Sequence, residues 1–310
     1  MKIGFFGTPA HSAYLLKELL AAKLEIAFVV TNVDKPAGRK KTLQAPPVKK
    51  VALENDIPVL QFPNIKSPEA IASILAIPAD IHIIFAYGAI IPSKIFSSPA
   101  LGAINLHGSR LPEYRGASPV QSAILAGEKH TGYTLQYIAK KMDAGDIVAQ
   151  EKIAIDTEDD FASLLEKITR AGCQKLIDLL LSNPKVKFAS TAQEHSKATF
   201  CHKITAEDRK LNLSKNNIEM HNQIRALNPY QAPYFYYKGK RITISKSLPL
   251  ADNFNGQSAS FYKPDKKTLA IVCSDNTLLS LLEVQPENKK KMPIQDFING
   301  FQPETGDTIE

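Results

Sequence analysis

The chain has 310 residues, 44% of them hydrophobic, enough to bury a sizeable core and long enough for two domains. No apolar run approaches the length of a membrane span, and the start, Met1 to Gly7, has the pattern of a strand and lacks that of a secretory signal. The net charge of +7 is concentrated: residues 1–50 and 201–250 each hold 9 Lys and Arg against 3 Asp and Glu, while the remainder is slightly acidic. Two basic patches suit a polyanionic partner, although Lys-rich surfaces also serve solubility alone. Cys173, Cys201 and Cys273 are odd in number and far apart, as in a reduced, cytoplasmic protein.

Lys2 to Phe6 is predicted as a strand, Gly7-Thr8-Pro9 as a turn, and the residues carrying Tyr14, Leu15, Leu16, Leu19 and Leu20 as a helix. Leu24 to Thr31 follows as a second, nearly continuous apolar strand of the buried parallel kind. This strand–turn–helix–strand opening is that of a doubly wound sheet. Gly4 and Gly7 do not make a Gly-x-Gly fingerprint, which argues against a nicotinamide enzyme. From Asp34 to Leu43, Pro36 and Gly38 predict an exposed loop without regular structure, carrying Lys35, Arg39, Lys40 and Lys41. It lies past a strand's carboxyl end, where open α/β sheets bind ligands.

Helices are predicted over 48–55 and 68–76, and strands over 59–62 and 80–86. The second of these strands ends at Tyr87-Gly88, ahead of Ile90 and Ile91, whose pattern by itself reads as core. Then comes Ala103-Ile-Asn-Leu-His107, a short strand in which Asn105 and His107 share one face. Polar groups inside a strand this apolar need internal partners or a substrate. The turn-rich run from Gly108 to Gly116 frees the backbone to approach a ligand. A helix over 119–126, a strand over 130–137 and the Lys140-Lys-Met-Asp143 loop deliver a carboxylate. Asp143 or its neighbour Asp146 is either that carboxylate or ordinary turn chemistry.

Asn, His and Asp are the parts that acyl transfer to an amine requires. An amide and a protonated imidazole can stabilise an oxyanion, while a His and a carboxylate move protons between the nitrogens. No nucleophilic Ser or Cys accompanies them, which favours direct transfer over a covalent intermediate.

An edge strand over 147–155 and a long amphipathic helix over 159–181 close a first domain, assigned to residues 1–187. Residues 188–205, polar and without periodicity, are expected to form a linker. Five short strands between Tyr234 and Val284 make 206–310 a small barrel of the oligonucleotide-binding type.

Asn105-Leu-His107, the run Leu111-Pro-x-Tyr-Arg-Gly-Ala-x-Pro119 and Met142-Asp-x-Gly-Asp146 together resemble the folate-dependent formyltransferases, and the resemblance spans nearly the whole chain. It implies an α/β, Rossmann-like, mostly parallel sheet followed by an OB-like β-barrel domain. It also implies formyl transfer from 10-formyltetrahydrofolate to the α-amino group of initiator methionyl-tRNA in translation initiation. Asn105, His107 and Asp143 would be catalytic; Ser109, Arg110, Leu111, Pro112, Ile90 and Ile91 would hold the folate. Arg39, Lys40 and Lys41 would hold the tRNA, on a loop with Lys40 where the family usually has Gly. The barrel opens with Asn228-Pro-Tyr230 where the family usually has a Trp, and this chain has none. No metal, no membrane and a cytoplasmic monomer are expected. The alternatives are a sugar-nucleotide amine formyltransferase and a non-catalytic nucleic-acid-binding protein on the same fold.

Overall fold

The computed structural model describes residues 1–37, 42–183 and 185–310. By internal contacts the chain divides into two units, neither contiguous in sequence. The first comprises residues 1–116, 132–153 and 166–200, the second 117–131, 154–165 and 201–310.

In chain order the first elements are β1 (Lys2–Gly7), α1 (Ala10–Ala21), β2 (Glu25–Thr31), β3 (Lys35–Ala37), β4 (Thr42–Gln44), α2 (Pro47–Leu53) and β5 (Val59–Gln61). Next come α3 (Pro68–Leu75), β6 (Ile81–Phe85), α4 (Ser93–Phe96), β7 (Ala103–His107) and β8 (Arg115–Gly116). The series continues with α5 (Pro119–Leu125), β9 (His130–Tyr137), β10 (Ile147–Ala154), α6 (Phe161–Ser182) and β11 (Phe200–Cys201). The helices start where the sequence says they should: Ser67 caps α3 through its Oγ, with Pro68 in the first turn.

Seven strands form one sheet in the order β10-β9-β7-β6-β1-β2-β5. The five strands from β7 to β5 are mutually parallel, and β9 joins β7 antiparallel. The chain leaves β1 in one direction through β2 and β5, then returns to the other side of β1 for β6. The crevice past the carboxyl ends of β1 and β6 is therefore the topological switch point, where this architecture binds ligands. One apolar cluster on this sheet gathers Phe6, Phe28, Val30, Ile84, Ile91 and Ile95. Elsewhere Gly172 of α6 lies so close to Leu106 that a Cβ would come within 2.5 Å of its Cδ1. A helix pressed that tightly fixes the strand that carries Asn105 and His107.

The segment after β2 departs from its expectation. It is not irregular throughout, because β3 and β4 pair as an antiparallel ribbon with Pro36 opposite Leu43. Proline removes one donor, which an isolated two-stranded ribbon tolerates on its outer edge.

The second unit holds α7 (Asn217–Leu227), β12 (Tyr234–Tyr237), β13 (Lys240–Asn253), β14 (Ser260–Tyr262), β15 (Ala270–Val272), β16 (Thr277–Pro286), β17 (Met292–Pro293) and α8 (Ile294–Phe301). Asn216 and Glu219 form a reciprocal capping box at the start of α7. Its strands make a curled antiparallel, OB-like sheet in the order β12-β13-β16-β15-β14, with β17 on β16. The core is apolar: Phe235, Ile242, Ile244, Phe261, Ile271, Leu279 and Leu281 pack with Met220 and Ile224 of α7 and Phe297 of α8. β13 is longer than the short strands expected of this region, running 14 residues through Pro249 to Asn253. β12 covers only Lys240–Thr243 of it, so Pro249 sits where no donor is required on that side.

Candidate active site

Three loops leave the carboxyl edge of the sheet beside the switch point, and hydrogen bonds tie them together. Thr8 Oγ1 donates to the Tyr87 carbonyl at 3.1 Å, and Asn32 Nδ2 donates to the same oxygen at 3.2 Å. Ala86, Tyr114 and Asp143 are non-glycine residues with φ of +48°, +54° and +48°. Left-handed backbone costs such residues roughly 1 kcal/mol or more, so the surrounding bonds must hold these loops in shape.

Strand β7 places its polar pair as expected. His107 is buried, whereas Asn105 is half-buried, and its amide makes no hydrogen bond to any described residue. His107 Nε2 lies 3.0 Å from the Tyr114 carbonyl, and its Nδ1 lies 3.6 Å from Asp143 Oδ1. A carbonyl can only accept, so Nε2 carries a hydrogen and Nδ1 is the nitrogen that gains or loses a proton. That nitrogen faces Asp143. Asp143 in turn accepts from the Gly116 N–H at 3.0 Å through Oδ2 and from Gln136 Nε2 at 2.9 Å through Oδ1. Gln136 stands directly opposite Asn105 in the β7–β9 ladder, and it is buried.

The loop over residues 109–115 is pinned from below. Thr134 Oγ1 donates to the Ser109 carbonyl at 2.7 Å and accepts from Leu111 N at 3.0 Å, and Gln150 Nε2 reaches the Leu111 carbonyl at 2.7 Å. Ser109 and Leu111 are buried, and these bonds engage the Ser109 carbonyl and both backbone groups of Leu111. Arg110 and Pro112 are half-exposed, and the Arg110 Nε is buried without a hydrogen-bond partner. Ile90 is 62% exposed while Ile91 is buried in the core, so only the first presents its side chain. Arg39, Lys40 and Lys41 lie outside the described residues. The segment leading to them is anchored at Asp34, whose carboxyl is held below its usual range by hydrogen bonds from Gln61 and Lys49.

Burial lowers His11 and His82 to a pKa of about 4, leaving both neutral near pH 7. Among the described residues no group of three or more His, Cys, Asp or Glu side chains is gathered to hold a metal, and no helix is long and apolar enough to cross a membrane.

The sequence reading passed over two residues of this site. Gln136 and Gln193 are both buried beside Asp143, Gln193 on the stretch expected to link the domains. Neither belongs to a motif; only the strand register and the path of residues 188–200 bring them there.

The formyl transferase family matches residues 1–180, and its C-terminal domain matches residues 203–302. A methionyl-tRNA formyltransferase of Leptospira interrogans is 45% identical over 100% of both chains. The chain belongs to the methionyl-tRNA formyltransferase family. A Bacillus subtilis relative of that name is 35% identical, covering 99% of this chain and 97% of its own. Among solved structures, an N-formyltransferase from Helicobacter canadensis, in complex with folinic acid and dTDP-3-aminofucose, superposes with a TM-score of 0.68. It is 20% identical, over 91% of this chain and 98% of that one, a likeness of fold.

Proposed function

We propose that this chain transfers a formyl group from 10-formyltetrahydrofolate to the α-amino group of methionine on initiator methionyl-tRNA, the step that prepares the initiator for translation. The observation that carries the reading is the open Asn105 amide beside the His107–Asp143 pair, in a chain that matches methionyl-tRNA formyltransferases from end to end.

The chemistry follows from the atoms available. The amine nitrogen attacks the formyl carbon, its oxygen becomes an oxyanion, and the bond to the donor nitrogen then breaks. Asn105, with no internal partner, supplies a donor to that oxyanion. The attacking amine releases a proton and the leaving nitrogen gains one. His107 Nδ1 and the Asp143 carboxylate provide the site through which that proton passes. As Nε2 is engaged with Tyr114, the oxyanion role falls first to Asn105.

The folate lies along the loop from Ser109 to Pro112, with Ile90 against its ring and the half-exposed Arg110 toward its polar groups. For the tRNA, Arg39, Lys40 and Lys41 engage the acceptor end and residues 206–310 add a second contact. Support for the latter comes from the outer face of β12. Tyr234 and Tyr236 meet edge to face at 5.6 Å, and Arg241 lies over Tyr234 at 5.6 Å. Aromatic rings interleaved with cations suit stacked bases and phosphates. The enzyme works as a monomer in the cytoplasm.

The test is formyl transfer from 10-formyltetrahydrofolate to methionyl-tRNA, free methionine and an amino-sugar nucleotide. Methionyl-tRNA should be preferred by orders of magnitude. A sugar nucleotide accepted better, or no transfer at all, would overturn the reading.

A further inference from the structure

Arg115 sits on β8 with its guanidinium buried, 1% exposed, behind the site described above. Its Nε and Nη2 lie 3.2 and 2.6 Å from Gln193 Oε1. Arginine has donors only, so this contact decides which end of the Gln193 amide faces it. The oxygen points to Arg115 and the NH2 group points away. That NH2 meets three acceptors: the Asp143 carbonyl at 3.0 Å, the Gly145 carbonyl at 2.6 Å and Gln136 Oε1 at 3.3 Å. The same logic then fixes Gln136. With its oxygen turned to Gln193, its NH2 group points to Asp143 Oδ1 at 2.9 Å. A flip of either amide would set donor against donor, so the orientation is dictated along the whole chain.

We propose that Gln193 and Gln136 are positioning residues for formyl transfer, forming a directional relay that carries the donor polarity of Arg115 to Asp143. The relay keeps both carboxylate oxygens of Asp143 as acceptors, the second being held by the Gly116 N–H. It also grips the loop itself, because Gln193 holds the carbonyls of Asp143 and Gly145. Packing leaves that loop no slack: a Cβ on Gly145 would come within 1.7 Å of the Tyr137 carbonyl oxygen. Asp143 thereby faces His107 Nδ1 with one orientation of its charge. The relay also explains why two large amides, Gln136 on β9 and Gln193 outside the sheet, are buried at 2% and 6% exposure.

The inference rests on the formyl-transfer reading, and the experiment keeps the two apart, because wild-type transfer to methionyl-tRNA is measured first. Gln193→Glu keeps an acceptor for Arg115 and removes the donors; Gln136→Met removes the last link. Each should lower kcat about 10–100-fold, the size expected for a misplaced catalytic group, with the KM for tRNA and for folate within about twofold of wild type. Since both act through one carboxylate, the double variant should be no slower than the worse single variant. Undiminished kcat in either folded variant, a loss expressed in KM alone, or losses that multiply in the double variant would overturn the relay. Should Gln193→Glu fail to fold, Gln136→Met decides alone, and full kcat in it ends the proposal.

Discussion

The two units use their buried polar groups differently. At the carboxyl edge of the first sheet, His107, Gln136, Gln193 and Arg115 are all buried, and each bonds a neighbour in one connected network. In the second unit the core cluster is apolar, from Met220 to Phe297; its buried amides Asn217 and Asn228 bond separate backbone carbonyls, and the groups suited to a partner lie on the outer face. A buried polar network is worth its desolvation cost only where atoms must be held to a fraction of an ångström. An outer aromatic and basic face asks for adhesion and tolerates movement. On the proposed function, catalysis belongs to the first unit, while the second contributes affinity.

If that division is right, substitutions in the network should change kcat and those on the outer face should change KM. The largest effect is expected for Asp143→Asn. It keeps the shape but sets an NH2 group against either the Gly116 N–H or the Gln136 amide, and transfer should fall at least about 10³-fold while folate still binds. Asn105→Ala should cost about 10²–10³-fold in kcat, the loss of one oxyanion donor, with the melting temperature nearly unchanged. An equal loss in KM for either variant would break the comparison.

A core substitution tests the other side. Ile271→Ala should destabilise the protein by about 2–5 kcal/mol in chemical denaturation. Its kcat at a temperature where it remains folded should stay near wild type. Tyr236→Ala should raise the KM for tRNA by the equivalent of about 1–3 kcal/mol, the worth of one stacked base, with kcat preserved.

The smallest effect concerns pH. Burial lowers the folded pKa of His11 and His82 to about 4 from the ordinary 6.5, so between those values the unfolded chain binds protons that the folded one does not. Stability should therefore be complete above pH 6.5 and decline as pH falls toward 4. Unfolding curves measured from pH 4.5 to 7.5 check the sign, and His82→Phe should flatten the dependence.

Much of the first unit was legible because its logic is local. Asn105 and His107 share a face by the two-residue period of a strand, and the Met142-to-Asp146 turn announces a carboxylate. The apolar runs of β1, β2 and β6 announce a buried parallel sheet. Gln136 and Gln193 were not legible for the opposite reason. Gln136 matters only through the register that sets it against Asn105, and Gln193 sits in a polar stretch without periodicity. The ribbon of β3 and β4 was hidden by Pro36, a residue that argues against strands unless the pairing is known. The length of β13 was hidden likewise by Pro249.

The central claim is that the network performs direct transfer, with no formyl group resting on the protein. The most direct measurement is a single turnover with limiting 10-formyltetrahydrofolate, labelled in the formyl carbon, with and without methionyl-tRNA. With the acceptor present, the label should pass to the methionine amine in one phase, and without it the donor should remain intact. Label retained on the protein, or donor consumed when no acceptor is present, would contradict the account.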